Sequence, residues 1–150
     1  TLYEIVTKTD LDMDILIKLI NDVNYRHNLA FKHNEPRLCH VDANLKNILY
    51  SDKKIFHVDF EMGREYENTI MWAQREIQKL LVSLLNIIPV YERDNVVRLF
   101  CDIYKHNIVI NSLIKSKLGR RKLNRNKFID SENYVLLDLV KDLQIHKQDK

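Results

Sequence analysis

Apolar residues recur along much of the chain at the 3.6-residue period of a helix buried on one side. Ile15, Leu16, Leu19, Ile20 and Val23 fall on one such face. Thr9 or Asp10 is the expected N-cap, and the pattern fades near His27 or Asn28. The stretch from Phe31 to Pro36 is polar, and the proline ring disfavours a helical Glu35, so a loop is expected there. The strongest pattern follows Gly63: Ile77, Leu80, Leu81, Leu84, Leu85 and Ile88 line a wide apolar face, and Pro89 closes it. That width predicts a core helix, with Trp72 on its buried side. Further helices are predicted around Val96, Leu99, Phe100 and Ile103, and over Tyr134 to Leu143 ahead of a polar tail, 144–150.

Shorter segments favour strands. Leu2 to Val6 is β-prone and stops at a polar linker, Thr7 to Asp14. Asn47 to Tyr50 and Lys54 to Phe60 flank Ser51-Asp52-Lys53, which suits a tight turn, so a hairpin is predicted. No internal repeat is visible. At 150 residues and 45% hydrophobic content the chain holds one sizeable core, hence a single domain over 1–150. With only 2 Gly and 2 Pro, a turn-rich all-β fold is disfavoured, and the expected class is α+β, mostly helical.

Cys39 and Cys101 sit in apolar surroundings without paired spacing and read as buried thiols of a reducing compartment rather than a disulfide. No run approaches the roughly 18 apolar residues of a membrane span, and no charged, apolar-cored leader is seen, so a cytoplasmic protein is expected. The net charge of +3 does not by itself identify a partner. Its distribution is more informative: Lys115, Lys117, Arg120, Arg121, Lys122, Arg125 and Lys127 occur with no acid between them. This run reads as a solvated basic loop, with anion binding as the functional alternative. No aromatic residue is interleaved, so a single-stranded nucleic acid is not the favoured partner.

The chemistry concentrates between residues 40 and 61. His40-Val41-Asp42-Ala43-Asn44-Leu45-Lys46-Asn47 precedes the hairpin, and Asp59-Phe60-Glu61 follows it. Phosphoryl transfer from ATP needs a carboxylate to orient and deprotonate a hydroxyl, and carboxylate and amide oxygens to hold Mg²⁺. Asp42, Asp59 and Asn47 can supply those parts.

The spacing His40-x-Asp42-x₄-Asn47 followed by Asp59-Phe60 resembles the catalytic and metal loops of the protein-kinase-like phosphotransferase superfamily. Asp59-Phe60-Glu61 is nearest the branch containing aminoglycoside and choline phosphotransferases and the lipopolysaccharide-core kinases. The resemblance implies the C-terminal lobe of that fold, with Leu2 to Val6 as hinge strand. It implies Asp42 as catalytic base, Asn47 and Asp59 as Mg²⁺ ligands, His40 as a brace for the metal loop, and ATP as co-substrate. Lys46 lies where a phosphate contact is possible. The expected substrates are a nucleotide and a small hydroxyl-bearing molecule or sugar.

No Gly-rich loop and no paired strand lysine is present, so the ATP-clasping lobe is expected from elsewhere, in cis or in trans. The surface it would cover is expected to be apolar and prone to self-association. Two other readings stay open: a non-catalytic module that contacts an anionic partner through the basic run, and a metal-dependent hydrolase using His40, Asp42, His57 and Asp59.

Overall fold

The computed structural model describes residues 1–9, 11–62, 68–120 and 131–148. Among these residues there are six helices and one two-stranded antiparallel sheet, a mostly helical α+β arrangement. None of these helices is long and apolar enough to cross a membrane.

The first element corrects the expected strand. Leu2–Lys8 is a helix, α1, because Thr1 and Glu4 form a reciprocal capping box that meets the open amides of the first turn. Leu2 is buried and anchors it. There is therefore no hinge strand at Leu2 to Val6. Thr9, expected to open the next helix, instead closes this one, its hydroxyl donating to the Ile5 carbonyl at 2.8 Å. Helix α2, Met13–His33, is capped by Asp12, whose side chain accepts from the Asp14 amide at 2.8 Å. It runs past His27 to His33, because His27 and Ala30 are fully buried and continue the stripe of Leu16, Leu19, Ile20 and Val23. Asn34, left-handed at φ 49°, ends it.

A 3₁₀ turn at Pro36–Leu38 and another at Leu45–Asn47 bracket the loop that carries His40 and Asp42. The hairpin follows as predicted, with β1 at Ile48–Ser51 and β2 at Lys54–His57. Its register pairs Ile48 with His57 and Leu49 with Phe56, and Asp52 and Lys53 both take positive φ in the two-residue turn. Alternation then gives the hairpin two unlike faces. Ile48 and His57 face inward, whereas Phe56 and Val58 are 46% and 38% exposed.

Helix α3, Thr69–Leu85, supplies the core through Trp72, Ala73, Ile77, Leu80, Leu81, Leu84 and Leu85. It stops at Leu85, and Ile88 packs into the core from the connection to α4, Val90–Ile103. Helix α5, Asn107–Arg120, was not foreseen. Its buried Val109, Ile110 and Leu113 seat it against α3, so Lys115, Lys117 and Arg120 belong to a helix rather than a loop. Arg121, Lys122, Arg125 and Lys127 lie outside the described residues. Helix α6, Ser131–Gln148, packs on α3, α4 and α5 through Leu139 and Leu143, and extends through most of the expected tail. Cys39 is buried and Cys101 half-buried, and they are not joined.

Candidate active site

The two loops meet at the open end of the hairpin. The Val58 amide donates to the Asn47 carbonyl at 2.9 Å, which carries the ladder one step past β1 and β2. The Val41 amide donates to the Glu61 carbonyl at 2.7 Å, and His40 pairs with Met62 in an isolated bridge. Asp42 and Asn47 on one loop and Asp59 on the other are thus carried by one hydrogen-bonded frame.

Within it, Asn47 donates its side-chain amide to the Asp42 carbonyl at 3.1 Å and to Asp42 Oδ2 at 3.2 Å. Asn44 adds a second amide to Oδ2 at 3.1 Å, while its own Oδ1 caps the 3₁₀ turn through the Lys46 amide at 3.0 Å. Asn47 spends its nitrogen in this way and keeps Oδ1 for another partner. Asp59 is exposed, sits in the left-handed region at φ 49°, and makes no side-chain hydrogen bond or ion pair among the described residues. A non-glycine residue held there is strained, and such strain concentrates where function requires it. Lys46 is exposed, with its ammonium 5.0 Å from the centre of the Tyr3 ring on α1.

His40 is fully buried and stacks on Phe60, ring centres 4.6 Å apart and planes at 17°. Burial, and then the proximity of His57, push its pKa down, so the ring packs as a neutral plate behind the Asp59 loop. His40 thus touches Phe60, the residue that follows Asp59.

Behind the loops lies a buried polar network that the sequence did not reveal. Glu76, on the apolar face of α3, accepts from Arg26 through one oxygen; the other meets the His40 amide at 2.7 Å and His27 Nε2 at 3.0 Å. Tyr104 closes the chain with a 2.6 Å contact to His27 Nδ1. Burial alone pushes the Glu76 carboxyl up, but the Arg26 charge and the His27 hydrogen bond outweigh it and hold the pKa at about 2. Arg26 also reaches Asp22 at 3.0 Å, and Asp22 meets His57 Nε2 at 2.8 Å. Helices α2 and α3 therefore grip the 39–47 loop at His40 and the hairpin at His57. A signal was available: His27 and Glu76 are polar residues placed on otherwise apolar helical faces.

The four-residue metal cluster of the hydrolase reading is not assembled. His57 turns inward to Asp22, His40 is stacked on Phe60, and Asp59 faces solvent. Among the described residues, His27, Cys39 and Glu76 alone form a group of three whose donor atoms lie close together, within 4.8 Å. Both imidazole nitrogens and both carboxylate oxygens there are already engaged, and burial pushes the Cys39 thiol up to about 12. That donor set suits a structural network better than a cation. A hollow of about 700 Å³ beside α4, lined by Leu11, Met13, Val96 and Leu99 among others, shares no residue with these loops.

No protein-family model, curated protein or solved structure matches the chain.

Proposed function

We propose that the domain is the catalytic lobe of an ATP- and Mg²⁺-dependent phosphotransferase acting on a hydroxyl group of a small molecule or sugar. The observation that carries this reading is the set of uncommitted oxygens at the open end of the hairpin. Asn47 Oδ1 and the Asp59 carboxylate are hard oxygen donors of the kind Mg²⁺ prefers, and no protein group competes for them among the described residues. Asn47 and Asp59 would hold the ion, and its charge, once bound, offsets that of the transferring phosphates.

The chain's own residues do the rest. Asp42, fixed by the amides of Asn44 and Asn47, orients the acceptor hydroxyl and takes its proton. The acceptor oxygen bonds to the γ-phosphorus, the bond from that phosphorus to the β–γ bridging oxygen breaks, and ADP leaves with the electron pair. Leu49, Phe56 and Val58 share the outer face of the hairpin with Asn47 and offer an apolar platform for the nucleobase. A second lobe, in cis or in trans, would cover that face.

Calorimetric titration with ATP, with and without Mg²⁺, tests the reading. Binding that requires Mg²⁺ and is lost in Asp59→Ala is expected. Binding of equal strength without the metal, or in the variant, would remove the reading.

A further inference from the structure

The two oxygens of Asp42 face different neighbours. Oδ2 takes the amides of Asn44 and Asn47 and so looks toward the hairpin and the proposed cation ligands. Oδ1 lies 3.6 Å from Lys79 Nζ, on the exposed ridge of α3. If the phosphoryl donor occupies the hairpin side, the acceptor meets Asp42 from the α3 side, beside Lys79.

That ridge is cationic. Arg75 lies one turn before Lys79, on the same face, so the two charges neighbour each other along the helix. The Arg75 guanidinium lies over the Trp72 ring, 4.6 Å from its centre, which orients the planar group, and among the described residues its edge donors have no partner. Neither Arg75 nor the other exposed residues of the ridge, Met71 and Lys79, bring a carboxylate; among the described residues Asp42 is the acid Lys79 meets. The Lys79 side chain is 60% exposed, so its ion pair with Asp42 contributes little to stability and is easily exchanged for another anion. A carboxylate loosely paired with one cation, with a second, oriented cation one turn along the same helix face, is arranged to receive a hydroxyl group whose molecule also carries negative charge.

We infer that the acceptor is a hydroxyl-bearing anion of sugar size, phosphorylated or carboxylated, held through its charged group by Lys79 and Arg75 while its hydroxyl meets Asp42. The inference rests on the phosphotransferase reading and sharpens it. It separates this site from acceptors bearing ammonium groups, such as aminoglycosides and choline, which the same two cations would repel.

Titration of the chain with glucose 6-phosphate, glucuronate, glucose and glucosamine, without nucleotide, tests it. At least one of the two anions is expected to bind about tenfold or more tightly than glucose or glucosamine. Preference between them reports whether phosphate or carboxylate is the recognised group. Lys79→Gln and Arg75→Gln should each weaken that binding by about tenfold, and Lys79→Arg should restore most of it, which mere loss of packing would not do. Circular dichroism of each variant shows that the fold is kept.

Equal binding of glucosamine, anion affinity unchanged in both glutamine variants, or no saturable anion binding at about 10 mM would overturn the inference. So would Lys79→Gln that weakens Mg²⁺–ATP binding and spares the anion, since Lys79 would then serve the donor. Intact anion binding with no Mg²⁺-dependent ATP binding would overturn it through the reading on which it rests; the reverse result would remove the inference alone.

Discussion

Two groups of polar side chains lie on opposite sides of His40, and they differ in what they have left to offer. Behind it, Glu76, His27, Tyr104 and Arg26 are drawn from α2, α3 and the end of α4, and they satisfy one another in the interior. In front of it, Asp42, Asn47 and Asp59 reach the surface, and Asn47 Oδ1 and the Asp59 carboxylate have no partner among the described residues. The buried group has the composition of a metal site, with imidazole, thiol and carboxylate within 4.8 Å, yet its imidazole and carboxylate donors are spent and its thiol is held protonated by burial. The exposed group looks sparser but keeps acceptors to offer. Unspent acceptors, more than the number of titratable groups, distinguish a place for chemistry from a structural network.

The largest loss is expected at Glu76. Glu76→Gln removes the charge that balances Arg26 in the interior and should cost about 3–5 kcal/mol by urea unfolding. Asp42→Ala, on the surface side, should cost under about 1 kcal/mol. Near-equal losses would erase the distinction between the two groups.

Acid should find the same residue. The folded Glu76 carboxyl titrates at about 2, below its ordinary 4.5, so its contribution is present above pH 4.5 and is lost as pH falls toward 2. In that window the unfolded chain binds more protons, and the loss attributable to this group is on the order of 3 kcal/mol. Stability measured against pH should flatten there in Glu76→Gln; an unchanged acid limb would place the sensitivity elsewhere.

His40 separates packing from polarity. Its ring nitrogens have no hydrogen-bond partner among the described residues, and its ring stacks on Phe60. His40→Ala should therefore cost about 2–3 kcal/mol by cavity formation, and His40→Phe under about 1 kcal/mol. A larger loss in the phenylalanine variant would mean that the imidazole nitrogens matter. The smallest effect belongs to Asp59, where glycine relieves the left-handed strain. Asp59→Gly should leave thermal stability unchanged or raise it by up to about 1 kcal/mol. Destabilisation would show that the carboxylate serves the fold.

How much of this was legible depends on whether a residue's task was local. The hairpin and the face of α2 through Val23 follow from alternation and period, which need only near neighbours. The strand expected at Leu2 to Val6 failed because its β-branched residues suited either state and the Thr1–Glu4 capping box decided between them. Helix α5 was missed because Ile108, Val109 and Ile110 form a continuous β-branched run without a clear stripe, and packing on α3 fixes it as a helix. Asp42, Asn47 and Asp59 stood out because they sit at the ends of short segments at fixed spacing. Glu76, 34 residues beyond Asp42 in sequence, could be paired with His40 and Arg26 only in three dimensions.

Under the proposed function, Asn47 and Asp59 together hold a divalent cation with the nucleotide. Paramagnetic broadening of the amide spectrum by Mn²⁺ in the presence of ATP reads this directly. Broadening centred on residues 42–47 and 56–60, and abolished in Asp59→Ala, is the predicted result. Broadening centred on His27, Cys39 and Glu76, or unchanged in the variant, would contradict the account.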